Sequence, residues 1–246
     1  MYTDKKYWQK YYQNTNLDKK QIIAICSKYD KYWDMLFRVC KHKPKTILEM
    51  GAYPGRFIAY VASKYSLKPA ALDFNPDRKK IEKSFKEMGI NQYEIITDNI
   101  ISYTTEKKYD LIISMGFIEH FEDYVAVLNK HATMLEKGGA ILIIIPNKRG
   151  FRKLYGLICD RKNLDAHNLK CMNKKTFHDF SFNNKLKMDY LQYFGGFQYS
   201  VHQKLNKLQL CIYYLVRFAS IKLKPYIEKH PSWLYSSGII GIFSKE

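Results

Sequence analysis

An apolar strand, a glycine-containing turn and a helix, in that order, constrain the fold of this 246-residue chain more than any other feature. Residues 46–50 have the pattern of a short apolar strand, residues 51–55 that of a turn with glycines, and residues 57–65 that of a helix. Four further strands are predicted at 69–72, 93–97, 110–115 and 140–145. Because strands that alternate with helices are typical of βαβ units, we expect an α/β fold with a parallel sheet and helices on both of its faces.

The helices around this sheet are predicted from apolar spacing and from capping residues. Residues 1–44 should form an N-terminal helical cap, since apolar residues recur there at intervals of three or four after Asp18. Asn75 is a good N-cap residue and is followed by Pro76, so a helix is expected to begin there and to end at about Gly89. Another helix is expected from about 122 to 136, ending before Gly138 and Gly139.

The chain divides into four segments of one folded domain. The cap is followed by a Rossmann-like core at 45–147 and by a segment at 148–187 that should lie on the substrate side. Residues 188–246 should contain two late strands, separated by a helical insertion at about 203–230. The late strands are predicted at 188–194 and 238–244.

Composition limits the kind of partner. The chain has 41 basic and 23 acidic residues, a net charge of +18, which favours anionic partners. No run of five consecutive basic residues occurs, so a nucleic-acid partner is not expected. The five cysteines include no C-x-x-C pair, which argues against a disulfide framework and against a cysteine zinc site.

No membrane segment is expected. The N-terminus lacks the apolar region of a signal peptide. The uncharged stretch at 208–216 is nine residues long, whereas a spanning helix needs about 20. We therefore expect a cytoplasmic protein without a membrane span.

The ends of the first two strands indicate a ribose-containing ligand. In open α/β sheets, ligands bind outside the carboxyl ends of the strands, and the turn at 51–55 follows the first strand. Asp73 follows the second strand, where a carboxylate can accept hydrogen bonds from both hydroxyl groups of a ribose. The turn is not a dinucleotide-binding G-x-G-x-x-G, because Tyr53 and Arg56 replace its second and third glycines.

The pattern Glu49-x-Gly51-x-x-x-Gly55 resembles motif I of the class I S-adenosylmethionine (SAM)-dependent methyltransferases. Asp73 matches the acidic residue that holds the cofactor ribose in that family. Asp98 and Asn99 match the position that meets the adenine amino group. Residues 109–114, 117–121 and 137–139 match the fourth strand, the segment after it and the turn before the fifth strand. One departure is Tyr53, which stands where the family has its middle glycine.

The resemblance implies a seven-stranded sheet whose last strand is antiparallel, and SAM as the cofactor. Phe74 and Met115 are expected beside the cofactor because they follow the second strand and end the fourth. The full set of residues expected to bind the cofactor is Glu49, Gly51, Ala52, Tyr53, Gly55, Asp73, Phe74, Asp98, Asn99 and Met115.

The expected reaction is methyl transfer to a hydroxyl group. Such an acceptor benefits from a general base with a pKa near neutral, and histidine fits best. His120, after the fourth strand, and His167, in the polar segment after the fifth, are the predicted catalytic residues; packing roles are the alternative for both. No metal is required by this chemistry. Residues expected to bind the acceptor are Tyr7, Trp8, Glu119, Asn147 and Arg149.

The expected acceptor is a small anionic molecule: a sugar, a nucleotide-linked sugar, or a phosphorylated or phosphoramidate metabolite. The segment at 163–169 resembles segments of bacterial methyltransferases of surface-polysaccharide pathways. Two alternatives remain open, a nucleic-acid methyltransferase and a non-catalytic SAM-binding module. The net charge motivates the first and Tyr53 the second. The sequence predicts neither the individual acceptor nor the oligomeric state.

Overall fold

The computed structural model describes residues 2–246. Its centre is one seven-stranded sheet with the strand order β3-β2-β1-β4-β5-β7-β6. The strands are β1 (Thr46–Met50), β2 (Lys68–Asp73), β3 (Glu94–Thr97), β4 (Tyr109–Met115), β5 (Leu135–Pro146), β6 (Leu186–Phe194) and β7 (Gly238–Lys245). Strands β1 to β5 are parallel, whereas β7 is antiparallel to both β5 and β6. The predicted α/β fold with an antiparallel last strand is confirmed.

Helices cover both faces of this sheet. They are α1 (Lys5–Tyr11), α2 (Lys19–Cys26), α3 (Asp30–Val39), α4 (Arg56–Tyr65), α5 (Lys79–Glu87), α6 (Tyr124–Thr133), α7 (Gly150–Cys159), α8 (Arg161–Asp165), α9 (Lys174–Asn183) and α10 (Lys207–Lys229). Successive side chains of a strand point to opposite faces. Ile47 and Leu111 therefore belong to one apolar cluster, while Leu48 and Ile112 belong to the other.

The N-terminal cap differs from its expected form. The periodic segment after Asp18 is two helices, α2 and α3, joined by a 3-10 turn at Ser27–Tyr29. Asp18 caps α2 as predicted, accepting a hydrogen bond from the Gln21 N–H. Trp33 is fully buried, and its indole N–H donates to the Cys26 carbonyl oxygen at 3.0 Å. This bond satisfies a carbonyl group at the turn between α2 and α3. The apolar spacing seen in the sequence therefore spans two helices that are held together at the turn.

Two predicted helix boundaries are wrong. Helix α5 begins at Lys79, because the Asn75 side chain accepts from the Asp77 N–H instead of capping a helix. Helix α6 ends at Thr133, and β5 already begins at Leu135. The two glycines at 138–139 lie within β5, at a shift in its pairing with β4. A Cβ at 139 would lie 2.6 Å from the Asp110 carbonyl oxygen, so the close approach of the two strands requires glycine.

The carboxyl ends of the parallel strands lie together at one end of the sheet. Helix α1 lies beside these strand ends. The Tyr2 N–H donates to the His120 carbonyl oxygen at 2.7 Å, and the Gln9 side chain reaches Asn75. Within the described residues, no helix is both long and apolar enough to cross a membrane.

Candidate active site

The turn after β1 has the backbone shape that its glycines predict. Gly51 has φ +73°, and a Cβ there would lie 2.2 Å from a ring carbon of Phe117. Gly55 has φ +93°, and a Cβ there would lie 2.9 Å from the Ile81 Cα. The N–H groups of Gly51 and Ala52 both donate to the Leu72 carbonyl oxygen. The turn is therefore held against the end of β2.

Asp73 lies at the end of β2 and faces a small cavity. Its carboxylate accepts hydrogen bonds from the N–H groups of Tyr53 at 3.0 Å and Asn75 at 2.8 Å. These bonds use one electron pair on each oxygen, so each oxygen can accept one more. Burial raises the pKa of Asp73. Phe74, Asp98 and Asn99 line the same cavity, so the structure brings together four of the predicted cofactor residues.

Tyr53, the departure from motif I, turns away from the cleft. Its phenol donates to an Asp77 carboxylate oxygen at 3.0 Å, and its ring packs edge-on against Tyr12. Only its backbone N–H reaches Asp73. The side chain therefore lines neither the small cavity nor the larger one described below.

Glu49 and Arg56 lie beside the turn. Glu49 is 2% exposed and accepts a hydrogen bond from the Ile58 N–H at 2.9 Å, so it holds the start of α4. The Arg56 Nε atom is buried and has no hydrogen-bond partner among the described residues. Its guanidinium group lies over the rings of Tyr12 and Phe57 and lines the larger cavity. Sequence reasoning missed Arg56; a basic residue directly after the motif I turn was the available signal.

A larger cavity of about 310 Å³ opens at the carboxyl ends of β4 and β5. This volume is that of a small-molecule site. Met115 and Gly116 line it at the end of β4, and Asn147 lines it after β5. Other predicted residues in its wall are Tyr7, Trp8, Glu119, His120 and His167.

Glu119, His120 and His167 form a cluster in this wall. One nitrogen or carboxylate oxygen from each lies within 4.8 Å of the others. The two imidazole rings are 4.5 Å apart. A 3-10 turn at Ile118–His120 places the first two residues, and the end of α8 places His167. The two predicted catalytic histidines, 47 positions apart in the chain, therefore meet.

Burial shifts the pKa of every group in this cluster. It raises the pKa of Glu119 to about 8 and lowers the pKa of His120 to about 4. The pKa of His167 is also held well below its usual value, by burial and by the charge of Lys148. Both histidines are consequently neutral near pH 7, and Glu119 is the member that exchanges a proton close to that pH.

The basic residues after β5 do not lie as predicted. Arg149 turns out of the cavity, where it lies over the Trp233 ring and reaches the Met172 carbonyl oxygen. Its neighbour Lys148 lines the cavity instead, and burial lowers the pKa of that amine to about 8. The Asn147 side chain donates to the carbonyl oxygens of Trp233 and Ser236, both at 2.9 Å. Asn147 thus shapes the wall of the cavity.

The aromatic residues of α1 cover the cluster. Trp8 packs edge-on against His120 with ring centroids 4.7 Å apart, and its indole N–H donates to the Thr3 hydroxyl. Tyr7 packs against Trp8 at 5.1 Å and lines the same cavity. Asp165, two residues before His167, forms an ion pair with Arg161.

The residues at the strand ends fit SAM by their chemistry. Asp73 has two electron pairs left for ribose hydroxyl groups, and Asp98 with Asn99 offers polar groups beside the apolar ring of Phe74. The unpartnered Arg56 Nε supplies a donor that suits a carboxylate. The cofactor carries all three kinds of group.

Comparisons with known proteins agree with this fit. The family model described as a methyltransferase domain matches residues 23–198. Pavine N-methyltransferase of Thalictrum flavum subsp. glaucum is 28% identical over 133 residues, which are 53% of this chain and 35% of that protein. Malonyl-[acyl-carrier protein] O-methyltransferase 1 of Ilyobacter polytropus is 27% identical over 140 residues, covering 51% of this chain and 52% of that protein. The chain therefore spans about a third to a half of the relatives' length.

A solved structure shows the same fold. It is the N-methyltransferase NodS from Bradyrhizobium japonicum WM9 in complex with S-adenosyl-L-homocysteine (SAH). The TM-score is 0.56 at 12% identity, and the match covers 97% of each chain. Together, the family match over most of the chain, the sheet order and the residues at the strand ends identify the cofactor as SAM. The chain belongs to the methyltransferase-domain family and has the fold of the class I SAM-dependent methyltransferases.

Proposed function

We propose that the chain methylates a hydroxyl group of a small anionic acceptor, which binds in the larger cavity against the Glu119–His120–His167 cluster. The cofactor, when bound, supplies an electrophilic methyl group. The protein's share of the work is to hold the acceptor, exclude water and manage its proton. The observation that carries the proposal is the meeting of three electron-pair donors in the wall of one cavity.

A hydroxyl acceptor needs a partner for its proton. Glu119 is 1% exposed and has a pKa of about 8, so its carboxyl group can gain or release a proton near neutral pH. A general base works best when its pKa lies near the working pH. The neutral rings of His120 and His167 were the predicted bases, and they add two further electron pairs beside that carboxyl group.

Charge supports an anionic acceptor. Lys148 lies in the wall of the cavity, and none of the ion pairs found among residues 2–246 includes it. Its cation is therefore available to a phosphate or carboxylate group of the acceptor. Arg152 is less available, since it binds the carbonyl oxygens of Gln198 and Ser200. Sugar phosphates, nucleotide-linked sugars and phosphoramidates have this chemistry; a role in surface-polysaccharide synthesis stays a prediction.

Amine methylation is the second candidate. The rings of Tyr7, Trp8 and Tyr11 line the cavity beside Glu119, and aromatic faces attract a cationic amine. Pavine N-methyltransferase, one of the relatives, carries this chemistry in its name. Lys148 opposes it, because its positive charge repels a protonated amine in the same cavity.

The experiment is a labelled-product search. The purified protein is incubated with SAM bearing a deuterated methyl group and with a small-molecule extract of cells that express it, and labelled products are identified by mass spectrometry. We expect the label on an oxygen atom of an anionic molecule. The label should disappear with Glu119→Gln and persist with Glu122→Gln, whose side chain is exposed nearby. A label on nitrogen, or on a neutral molecule, would contradict the proposal.

A further inference from the structure

The Glu119–His120–His167 cluster has the hydrogen-bond pattern of an ion-binding site. The His120 Nδ1 atom is 3.0 Å from the Ala166 carbonyl oxygen, and the His167 Nδ1 atom is 2.6 Å from the Asn163 carbonyl oxygen. A carbonyl oxygen only accepts, so each Nδ1 carries the hydrogen and each Nε2 carries an electron pair. Two neutral imidazoles in this state cannot hydrogen-bond to each other through Nε2.

Glu119 adds a third electron-pair donor, and one of its two carboxylate oxygens has no partner. The side chain is 1% exposed, and its Oε2 atom is buried without a hydrogen-bond partner among the residues that the structure describes. Its Oε1 atom is 3.8 Å from the His120 Nε2 atom, too far for a hydrogen bond. A buried carboxylate oxygen without a donor is unfavourable unless a cation or a proton satisfies it.

We propose that this cluster binds a divalent first-row transition-metal ion of the Zn²⁺ class. Two imidazoles and one carboxylate are the ligand types that such ions prefer. Metal-binding histidines commonly donate their other ring N–H to a backbone carbonyl group, which is the pattern of both histidines here. No metal ion was expected from the sequence, because the three ligands come together only when the fold places His167 beside Glu119 and His120.

The three donor atoms must move closer together to bind one ion. In a tetrahedral site, ligand atoms about 2.0–2.2 Å from a zinc ion lie about 3.4 Å apart. The three atoms here lie within 4.8 Å of one another, so a pair must close by up to about 1.4 Å. Rotation of the Glu119 side chain supplies part of that movement, since hydrogen bonds to the protein do not restrain its Oε2 atom.

The bound ion would have open coordination positions on the cavity side. Three protein ligands and an open position are the arrangement of catalytic zinc sites. An oxygen atom of the acceptor could occupy that position, and a cation lowers the pKa of a hydroxyl group that binds to it. This role for the ion rests on the proposed function, whereas ion binding itself does not. With the ion bound, Glu119, His120 and His167 are ligands and do not take the proton of the acceptor, so the metal-bound hydroxyl group would release its proton to water in the open cavity.

Ion binding is testable without an acceptor or a cofactor. The protein is freed of metal with a chelator, and Zn²⁺ or Mn²⁺ is titrated into it by calorimetry, with metal content measured after gel filtration. We expect one ion per chain in the parent protein. Glu119→Gln and His167→Gln should each weaken binding about tenfold or more. The matched control is His131→Gln, because His131 is also buried but has no carboxylate beside it.

The outcomes separate the two proposals. Absence of a stoichiometric ion in the parent protein would overturn the metal site and leave hydroxyl methylation standing. Equal loss of binding in His131→Gln and His167→Gln would also overturn it, because the effect would then be one of folding. Visible absorption of bound Co²⁺ provides a second readout on the folded variants; a spectrum unchanged by Glu119→Gln would contradict carboxylate ligation.

Discussion

At the scale of single residues, His131 makes stability depend on pH. It is fully buried, its Nδ1 atom lies 2.8 Å from the Val127 carbonyl oxygen, and burial lowers its pKa to about 4. The unfolded chain has the ordinary value of about 6.5, so between these two values the unfolded state binds more protons. Stability contributed by neutral His131 is therefore present above about pH 6.5 and lost as the pH falls toward 4.

Replacement of the His131 side chain tests whether it makes the stability depend on pH. The contribution of His131 should change the free energy of unfolding by up to about 1.4 kcal/mol per pH unit in that window. Urea unfolding at pH 7 and pH 5 should therefore show a smaller difference in His131→Leu than in the parent protein. Other titrating groups are common to both proteins and cancel. Equal differences in the two proteins would contradict the buried, neutral state of His131.

The residues proposed for the cofactor side could be named from the sequence because each belongs to a short local pattern. Gly51 and Gly55 are required by the backbone of one turn, and Asp73 follows one strand. The acceptor side depends on tertiary structure instead. Only the path of the chain after β5 decides that Lys148 faces the cavity and Arg149 does not.

At the scale of elements, α1 forms a cover over the proposed acceptor side. None of its residues is buried, so it contributes little to the core. Trp8 contacts His120 and lines the cavity. We expect Trp8→Ala to raise the KM for the acceptor several-fold, because the acceptor loses one wall of its site, and to leave SAH affinity unchanged.

Steady-state kinetics with the acceptor identified by the labelled-product search would check this. The matched control is Tyr2→Ala, because Tyr2 is 46% exposed and holds His120 through its backbone only. Unchanged KM in Trp8→Ala would contradict a role of α1 in the acceptor site. A loss of SAH affinity in Trp8→Ala would indicate that α1 contributes to the cofactor site.

Periodicity in the sequence predicts which segments are strands and which are helices. It does not predict those boundaries that tertiary contacts determine. The sequence predicts that a helix continues to about 136, yet β5 begins at Leu135, which pairs with Tyr109 of β4. The glycine at 139 lets the Asp110 carbonyl group approach closely at the shift in this pairing. The break between α2 and α3 is likewise stabilised by the Trp33 indole across the turn.

At the scale of the whole molecule, the net charge and the fold give information about different parts of the function. The net charge of +18 describes the surface, whereas the cavity has its own balance of Lys148, Arg56 and Glu119. The family match and the sheet order assign the cofactor. Proteins that share this fold differ in the residues that bind the acceptor, so the fold alone does not identify the acceptor.

We propose that one cleft of the protein has a cofactor half around Asp73 and an acceptor half around His167. Calorimetric titration of SAH into the parent protein, Asp73→Asn and His167→Gln tests it most directly. Loss of a charge-assisted hydrogen bond costs about 1.5–3 kcal/mol, so Asp73→Asn should weaken SAH binding about tenfold or more. His167→Gln should bind SAH as the parent does. Unchanged affinity in Asp73→Asn, or a comparable loss in His167→Gln, would contradict this division of the site.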